Sequence, residues 1–267
     1  MIVDGKKIAE DVYTALRTRI AGFSRVPKLS IITIAPNFET QKYLALKKKK
    51  ASDIGIDTEV VELAVSCTTE EVIGAVQQVL PQCDGVVVQL PLPSHIDTTR
   101  VVRTIPPSHD VDALNIHTIK TLSPVVAACK EILSYHHISV EGKHVTILGS
   151  GKLVGIPAYQ WFVTQGAHVS VVTKETADIP FYTKNADIIV CGAGVPKILM
   201  PDMIKEGVVI LDAGTSEDGG MLVGDADPLC ADKALLMTPV PGGIGPLTIA
   251  MLLKNVVDCA SRTADMV

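Results

Sequence analysis

Short apolar runs rich in β-branched residues alternate with longer segments of helical period along the chain of 267 residues. Runs without polar interruption are typical of strands in parallel sheets, because helices cover both faces of such a sheet. The predicted strands are Leu29–Ala35, Thr58–Leu63, Gly85–Leu90, His144–Leu148, His168–Thr173, Ile188–Cys191 and Val208–Leu211. The predicted helices between them are Lys6–Phe23, Thr40–Ile54, Thr69–Leu80 and Leu153–Gln165. The alternation predicts an α/β fold with parallel sheets.

The chain is long enough for two domains at roughly 100–200 residues each. The predicted boundary lies between Asp112 and Gly142, after three strand–helix units and before a fresh strand and glycine-rich turn. The helical stretch Ile244–Ser261 follows a segment rich in proline and glycine, and we expect it to pack back onto the first domain. We therefore predict two domains around a cleft, residues 1–122 with 246–267 and residues 123–245.

Composition excludes several classes of protein. Apolar residues make up 47% of the chain and charged residues 20%, which predicts a packed core and excludes a disordered chain. A net charge of −5 gives no sign of a broad nucleic-acid surface, so no nucleic-acid partner is predicted. The six cysteines lie far apart without a C-x-x-C pair. That spacing indicates neither structural zinc nor a disulfide scaffold, and it favours reduced thiols in the cytoplasm.

Two stretches without Asp, Glu, Lys or Arg, Leu153–Thr173 and Ala234–Leu253, approach the ~20 residues of a membrane span. The first contains proline, glutamine and histidine, and the second contains three prolines and three glycines. Both are therefore predicted to be buried parts of a soluble fold, with no membrane partner. The first six residues lack the apolar core of a signal peptide, which again favours the cytoplasm.

A glycine-rich turn follows the predicted strand His144–Leu148. Gly149, Gly151 and Gly155 have the spacing G-x-G-x-x-x-G, one residue longer than the usual dinucleotide fingerprint. Glycines let the backbone approach a pyrophosphate, and the N-terminus of the following helix favours the anion. The turn predicts a Rossmann-like nucleotide-binding domain, although an ordinary tight turn gives a similar pattern.

The next strand ends at Thr173-Lys174-Glu175, where a second nucleotide-binding residue is expected. Lys174 can bind a 2′-phosphate, whereas Glu175 can accept a hydrogen bond from a ribose 2′-hydroxyl. Two solvated loop residues are the alternative interpretation.

Tyr43 and Lys47 are spaced i, i+4, so a helix presents them on one face. Lys47 begins a run of four lysines, which most often forms a solvated basic face. Crowded ammonium groups also lower one another's pKa, which would suit a lysine that exchanges protons near neutrality.

Three further segments carry candidate residues. Gln89 stands at the carboxyl end of a predicted strand, the edge where open α/β sheets bind ligands. Asp110 and Asp112 form an acidic pair too sparse for a metal site, and no metal is predicted. The segment Thr238–Thr248 is so rich in proline and glycine that it predicts a shaped backbone wall before a helix.

Together these motifs resemble the bifunctional methylenetetrahydrofolate dehydrogenase/cyclohydrolase family over nearly the whole chain. The matching elements are Y-x-x-x-K at Tyr43–Lys47, V-Q-L-P-L-P at Val88–Pro93, D-V-D at Asp110–Asp112 and T-P-V-P-G-G-x-G-P-x-T at Thr238–Thr248. The second and fourth elements are long and specific, and the order of all four fits the family.

The resemblance implies two α/β domains, a homodimer formed through the nucleotide-binding domain, and tetrahydrofolate derivatives as substrates. Oxidation of 5,10-methylenetetrahydrofolate to the methenyl form with NADP, or with NAD, would precede hydrolysis to 10-formyltetrahydrofolate. By position, Lys47 is the catalytic lysine, Tyr43 packs against the pterin, Gln89 tunes Lys47, and Asp112 anchors the pterin. The other implied substrate-binding residues are Leu90, Pro91, Pro241, Gly242 and Gly243. The implied cofactor-binding residues are Gly149, Ser150, Gly151, Thr173, Lys174, Gly194, Thr215 and Thr248.

The chain departs from the family pattern at several positions. Ser150 replaces the arginine expected to contact the NADP phosphate, and Lys174 could compensate. Ser123–Ala128 replaces a P-C-T-P-x-G segment, Ala113 replaces the glycine after D-V-D, and Thr215 replaces an isoleucine. These differences leave cofactor preference and the efficiency of each half-reaction open. We expect NADP to be preferred over NAD because Lys174 offsets the charge of a 2′-phosphate.

Two alternatives remain at the level of sequence. Another Rossmann-type oxidoreductase would retain Gly149–Gly155 but would leave Tyr43, Lys47, Gln89 and Asp112 unexplained. A catalytically weakened folate-binding homologue would explain Ser150 and Ser123–Ala128, and the intact set of four argues against it.

Overall fold

A computed structural model describes residues 1–115, 117–118 and 121–264. The strands in this part of the chain are β1 (Lys28–Ile34), β2 (Asp57–Leu63), β3 (Gly85–Val88), β4 (His144–Leu148), β5 (His168–Val172), β6 (Ile188–Cys191), β7 (Val209–Asp212), β8 (Ser216–Asp218), β9 (Met221–Val223) and β10 (Leu236–Met237). The helices are α1 (Gly5–Ile20), α2 (Phe38–Asp53), α3 (Thr69–Val79), α4 (Thr98–Arg103), α5 (Pro124–Tyr135), α6 (Gly155–Thr164), α7 (Ile179–Thr183) and α8 (Ile244–Ala264).

The predicted α/β fold is confirmed, and each predicted strand has a counterpart within two residues at either end. β3 ends at Val88 instead of Leu90: the N–H of Gln89 still donates to the carbonyl of Ile32, but Pro91 has no N–H with which to continue the ladder. Short elements such as α4, α7 and the β8–β9 pair were not predicted, since they are too brief to show a period.

The chain divides into two compact units. Glu10–Pro124 and Ile249–Val267 form one, called here the N-terminal unit, and Met1–Ala9 and Val125–Thr248 form the other, the central unit. The sequence-based division differs at residues 1–9, which it places in the first domain. Backbone pairing explains this difference, because the N–H of Val3 donates to the carbonyl of Met237 at 3.0 Å.

The N-terminal unit contains a parallel sheet in the order β2-β1-β3. Its helices begin at defined caps: the Asn37 side chain accepts from the N–H of Thr40, and Thr68 and Glu71 form a capping box at α3. The core between the sheet and its helices includes Ile32, Val72, Val76, Val86, Val88, Val101 and Ile105.

α8 also packs in the N-terminal unit, as predicted. The Asn255 side chain donates to the carbonyls of Val111 and Leu122, at 2.8 and 2.9 Å. Among the described residues, α8 is the one helix long and apolar enough to cross a membrane, and 67% of that stretch is buried inside the protein. The other uncharged stretch, Leu153–Thr173, is divided between α6 and β5.

The central unit contains a five-stranded parallel sheet in the order β10-β7-β6-β4-β5, with β8 and β9 as a separate antiparallel pair. Its core includes Leu148, Val172, Ile189, Cys191, Leu199 and Ile210. Because the strands are parallel, the loops after β4, β5, β6 and β7 leave the same edge of the sheet. The candidate nucleotide-binding residues lie on these loops, except Thr248, which lies in α8.

Candidate active site

α2 places one lysine of its basic run on the buried face of the helix. Leu44, Lys47 and Ala51 are buried at i, i+3 and i+7, positions that share one helical stripe. Lys48 and Lys49 are exposed, whereas Lys47 is only 5% exposed. The four lysines therefore do not form a single solvated face, and Lys47 occupies a position that helical periodicity gives to an apolar residue.

The Lys47 ammonium group contacts both Gln89 and Tyr43. Its Nζ donates to Gln89 Oε1 at 3.1 Å and lies 4.6 Å from the centroid of the Tyr43 ring, within cation–π range. The Gln89 Nε2 donates to the carbonyl of Leu90 at 2.9 Å, and its backbone N–H donates to Ile32 at 2.8 Å. These two bonds fix the amide so that its oxygen faces Lys47.

Asp112 reaches the same site from a segment beside β3. Val86 of β3 forms a parallel bridge with Asp110. The fully buried Asp110 carboxylate accepts hydrogen bonds of 2.7–3.2 Å from the N–H groups of Leu114 and Asn115 and the hydroxyl of Thr118. Asp110 thus holds the turn that carries Asp112. The sequence did not reveal this role, because the groups that donate to the Asp110 carboxylate lie four to eight residues further along, in irregular backbone.

Burial shifts the proton affinity of three groups in this cluster. It lowers the pKa of Lys47, and the charge of Asp112 partly opposes that shift. It raises the pKa of Asp112, which the Lys47 charge opposes and Asp110 reinforces. Burial also raises the pKa of Tyr43 to about 12, so its hydroxyl stays protonated at neutral pH. The predicted cause of the Lys47 shift, repulsion by neighbouring lysines, is wrong: the cause is desolvation.

The turn after β4 is packed so closely that two of its glycines cannot be replaced. Gly149 has φ +101°, and a Cβ there would lie 2.6 Å from the carbonyl oxygen of Gly192. A Cβ on Gly155 would overlap the carbonyl of Gly149. Gly151, in contrast, faces open space, and Ser150 is exposed. The turn is closed on the sheet side and open on the other, as a backbone cradle for a phosphate must be.

Thr173, Lys174 and Glu175 lie beside this turn. The N–H of Gly149 donates to the carbonyl of Val172 at 2.8 Å, which ties the two loops together. The Thr173 hydroxyl donates to Glu175 Oε2 at 2.5 Å, and Lys174 Nζ lies 3.9 Å from Glu175 Oε1.

Gly194 lies on the loop after β6, which a buried carboxylate holds. Asp225 accepts from the N–H groups of Ala193, Gly194 and Val195 at 2.7–3.1 Å. Asp212, at the end of β7, accepts in turn from the N–H of Asp225 at 3.2 Å, and burial raises the pKa of Asp212 to about 6. Sequence reasoning missed both carboxylates because the bonds to Asp225 join residues about thirty positions apart.

The segment from Thr238 to Thr248 combines a cis Val240–Pro241 peptide with a left-handed Gly242 at φ +107°. The N–H of Gly5 donates to the carbonyl of Gly242 at 3.1 Å, and a side chain on Gly5 would overlap the carbonyl of Gly243. Gly5 is a further residue that the sequence did not single out. Thr248 lies in the first turns of α8, where its hydroxyl donates to the carbonyl of Ile244, and Thr215 is exposed after β7.

The candidate residues therefore fall into two groups. The structure brings Tyr43, Lys47, Gln89 and Asp112 together in the N-terminal unit, which also holds Leu90 and Pro91. The central unit holds Gly149, Ser150, Gly151, Thr173, Lys174, Gly194, Thr215, Pro241, Gly242, Gly243 and Thr248.

Comparison with known proteins gives matches over nearly the whole chain. Residues 3–112 match the model of the tetrahydrofolate dehydrogenase/cyclohydrolase catalytic domain, and residues 123–264 match that of its NAD(P)-binding domain. The bifunctional protein FolD of Halothermothrix orenii is 38% identical over 272 residues, 96% of each chain.

Solved structures agree with these matches. The bifunctional dehydrogenase/cyclohydrolase FolD of Campylobacter jejuni superposes with a TM-score of 0.95 at 32% identity, covering 98% of this chain and 99% of that one. The Trypanosoma brucei enzyme, solved with NADP and an inhibitor, has a TM-score of 0.91 at 32% identity, covering 99% and 98%. The chain belongs to the tetrahydrofolate dehydrogenase/cyclohydrolase family.

Proposed function

We propose that this chain oxidises 5,10-methylenetetrahydrofolate to the methenyl form with NADP and hydrolyses that product to 10-formyltetrahydrofolate. The observation that carries the proposal is the buried Lys47, bonded to Gln89 and stacked on Tyr43, in a chain that matches both domains of the family. A purely structural homologue gives no reason to bury an amine at this place, because burial of a charged group is unfavourable.

The backbone of the central unit fits NADP. The turn Gly149–Gly155 has one open side, and it leads into α6, whose N-terminus favours a pyrophosphate. Ser150, Thr173, Lys174 and Gly194 stand on the loops that leave the same edge of the sheet. These residues would hold NADP, which would supply the hydride acceptor for the oxidation of the methylene carbon. The chain supplies position and exclusion of water, since the folate nitrogens already make that carbon electron-rich.

Hydrolysis is the step that needs a proton-transfer group. Water adds to the methenyl carbon and forms a C–O bond, and the attacking water must lose a proton. The added hydroxyl then loses its own proton as the C=O bond of the formyl group forms, the bond from that carbon to N5 breaks, and N5 gains a proton, so that one proton is released overall. Burial lowers the pKa of Lys47, so a larger fraction of its amine is neutral and able to accept the proton of the water.

The other three residues of the cluster position Lys47 and the substrate. Gln89 holds the Lys47 nitrogen through a 3.1 Å bond. Tyr43 stays neutral and presents a ring for stacking on the pterin. Asp112 offers a carboxylate to the N–H groups of the pterin edge, and its charge also limits how far the Lys47 pKa falls.

A purified sample tests both activities through the absorbance of methenyltetrahydrofolate. We expect methylenetetrahydrofolate with NADP to generate the methenyl signal and NADPH, and added methenyltetrahydrofolate to decay faster than in buffer. Binding of folate without turnover in either assay would contradict the proposal in favour of the weakened homologue. Turnover of neither folate, with no binding, would favour an unrelated oxidoreductase.

A homodimer through the central unit is part of the proposal. α6 carries an exposed apolar face formed by Ile156, Tyr159 and Val163, each 45–46% exposed, and Leu153 at 51% lies just before it. A contiguous apolar face of this kind is typical of an interface. A second copy of the chain is the partner that we propose for it.

The double variant Ile156→Glu/Val163→Glu tests this interface. Two charges on an apolar contact should shift the protein from dimer to monomer. The dissociation constant of the dimer should rise at least tenfold, as measured by light scattering across a dilution series. Leu222→Glu, at an equally exposed apolar position on β9, is the matched control and should leave the dimer intact. A double variant that stays dimeric, or a control that dissociates, would move the interface away from α6.

We also propose a cytoplasmic location. All six cysteines are free and buried, as expected for a chain that folds under reducing conditions.

A further inference from the structure

The loop after β5 carries a cation, Lys174, and an anion, Glu175, at the position that contacts the adenosine ribose in nucleotide-binding α/β domains. In nucleotide-binding α/β domains an acidic residue about 20 residues beyond the glycine turn bonds the ribose 2′-hydroxyl of NAD, whereas a nearby cation accommodates the 2′-phosphate of NADP. Glu175 and Lys174 stand next to each other there. The bond from the N–H of Gly149 to Val172 holds this loop beside the glycine turn.

The Glu175 side chain has a defined position although it is 69% exposed. Its Oε2 accepts from the Thr173 hydroxyl at 2.5 Å, and its backbone N–H donates to the same hydroxyl oxygen at 3.4 Å. The N–H of Thr173 donates to the hydroxyl of Thr176 at 3.1 Å, which closes the loop. These bonds leave Glu175 Oε1 to accept from a further donor.

Lys174 is less constrained. Its side chain is 92% exposed, and its Nζ lies 3.9 Å from Glu175 Oε1, a pair weak enough for a phosphate to replace. Ser150, in the glycine turn, contributes no charge. A carboxylate accepts hydrogen bonds from ribose hydroxyls and repels a phosphate dianion, whereas a lysine attracts that dianion.

We propose that Glu175, positioned by Thr173, binds the adenosine ribose hydroxyls of NAD while Lys174 binds the 2′-phosphate of NADP. The chain then uses both cofactors, and Glu175 sets the ratio between them. This inference rests on the proposed dehydrogenase function and adds a specificity-determining residue to it.

Calorimetric titration of the 267-residue chain with NAD and with NADP, without folate, tests the inference apart from turnover. We expect both to bind to wild-type protein. Glu175→Gln should weaken the binding of NAD and strengthen the binding of NADP. The ratio of their dissociation constants should shift by roughly 10-fold to 100-fold, the value of one charge-assisted hydrogen bond. Lys174→Met should weaken NADP and leave NAD unchanged. Glu141→Gln, the same charge change before β4 at the opposite edge of the sheet, is the matched control.

Thr173→Val separates positioning from general damage. Loss of the hydroxyl should move the ratio of the two dissociation constants in the same direction as Glu175→Gln, by a smaller factor. A purely structural defect would instead weaken the binding of both nucleotides equally. A ratio unchanged in Glu175→Gln overturns the inference, and normal methylenetetrahydrofolate oxidation by that variant would show that the proposed function survives. A shifted ratio without turnover would sink the proposed function alone. Wild-type protein that binds only one of the two nucleotides would also overturn the inference.

Discussion

Lys47→Met is expected to reduce hydrolysis of methenyltetrahydrofolate by about 10²–10⁴-fold, the usual contribution of general acid–base catalysis. Methionine retains most of the side-chain volume in a position that is only 5% exposed, so the packing of α2 against its unit should survive. The rate falls because proton transfer is impaired: the variant has no amine to accept the proton of the attacking water. The rate is followed by the decay of the methenyl absorbance under saturating substrate.

Oxidation of methylenetetrahydrofolate should fall much less in the same variant, since the hydride goes to NADP and not to a side chain. Lys48→Met, on the exposed side of the same helix, is the matched control and should retain both activities. If Lys47→Met folds normally, as judged by its melting temperature, and hydrolyses within a few-fold of wild type, Lys47 is not the proton-transfer group.

The strands followed from the sequence as short apolar, β-branched runs, and the main helices followed because each is long enough to show its period. The apolar, β-branched runs around Ile31 and Ile147 contain no charged residue in their interior, and both form interior strands of their sheets. The predicted start of α3 at Thr69 is confirmed, and the capping box that fixes it joins Thr68 and Glu71, only three positions apart. The first residues of the chain were assigned differently, because the pairing of Val3 with Met237 joins segments that sequence periodicity cannot connect.

The candidate site was predictable where one element carries several of its residues, as with Tyr43 and Lys47 on α2. The burial of Lys47 was not predicted, because a run of four lysines by itself predicts a solvated face. Residues that support the site were missed because their contacts join positions far apart in the sequence. Gly5 matters through its close approach to Gly243, a contact that only the folded chain creates.

Asp112→Asn is expected to raise the dissociation constant for folate by roughly 10-fold to 100-fold, because a charge-assisted hydrogen bond contributes about 1.5–3 kcal/mol. The amide retains the shape of the carboxylate but carries no charge to pair with the N–H groups of the pterin. Titration with methenyltetrahydrofolate measures the loss in binding. Asp53→Asn, an exposed position at the end of α2, is the matched control and should bind as wild type does.

The same variant should also shift the pH profile of hydrolysis in a definite direction. The negative charge of Asp112 raises the pKa of Lys47 against the lowering effect of burial. Its removal lets the Lys47 pKa fall further, so the neutral amine is present from a lower pH upward and the ascending limb of kcat moves to lower pH. A structural defect in the turn held by Asp110 would lower kcat at every pH without moving the limb. An ascending limb that stays in place, or moves to higher pH, would show that the charge of Asp112 does not act on the catalytic amine.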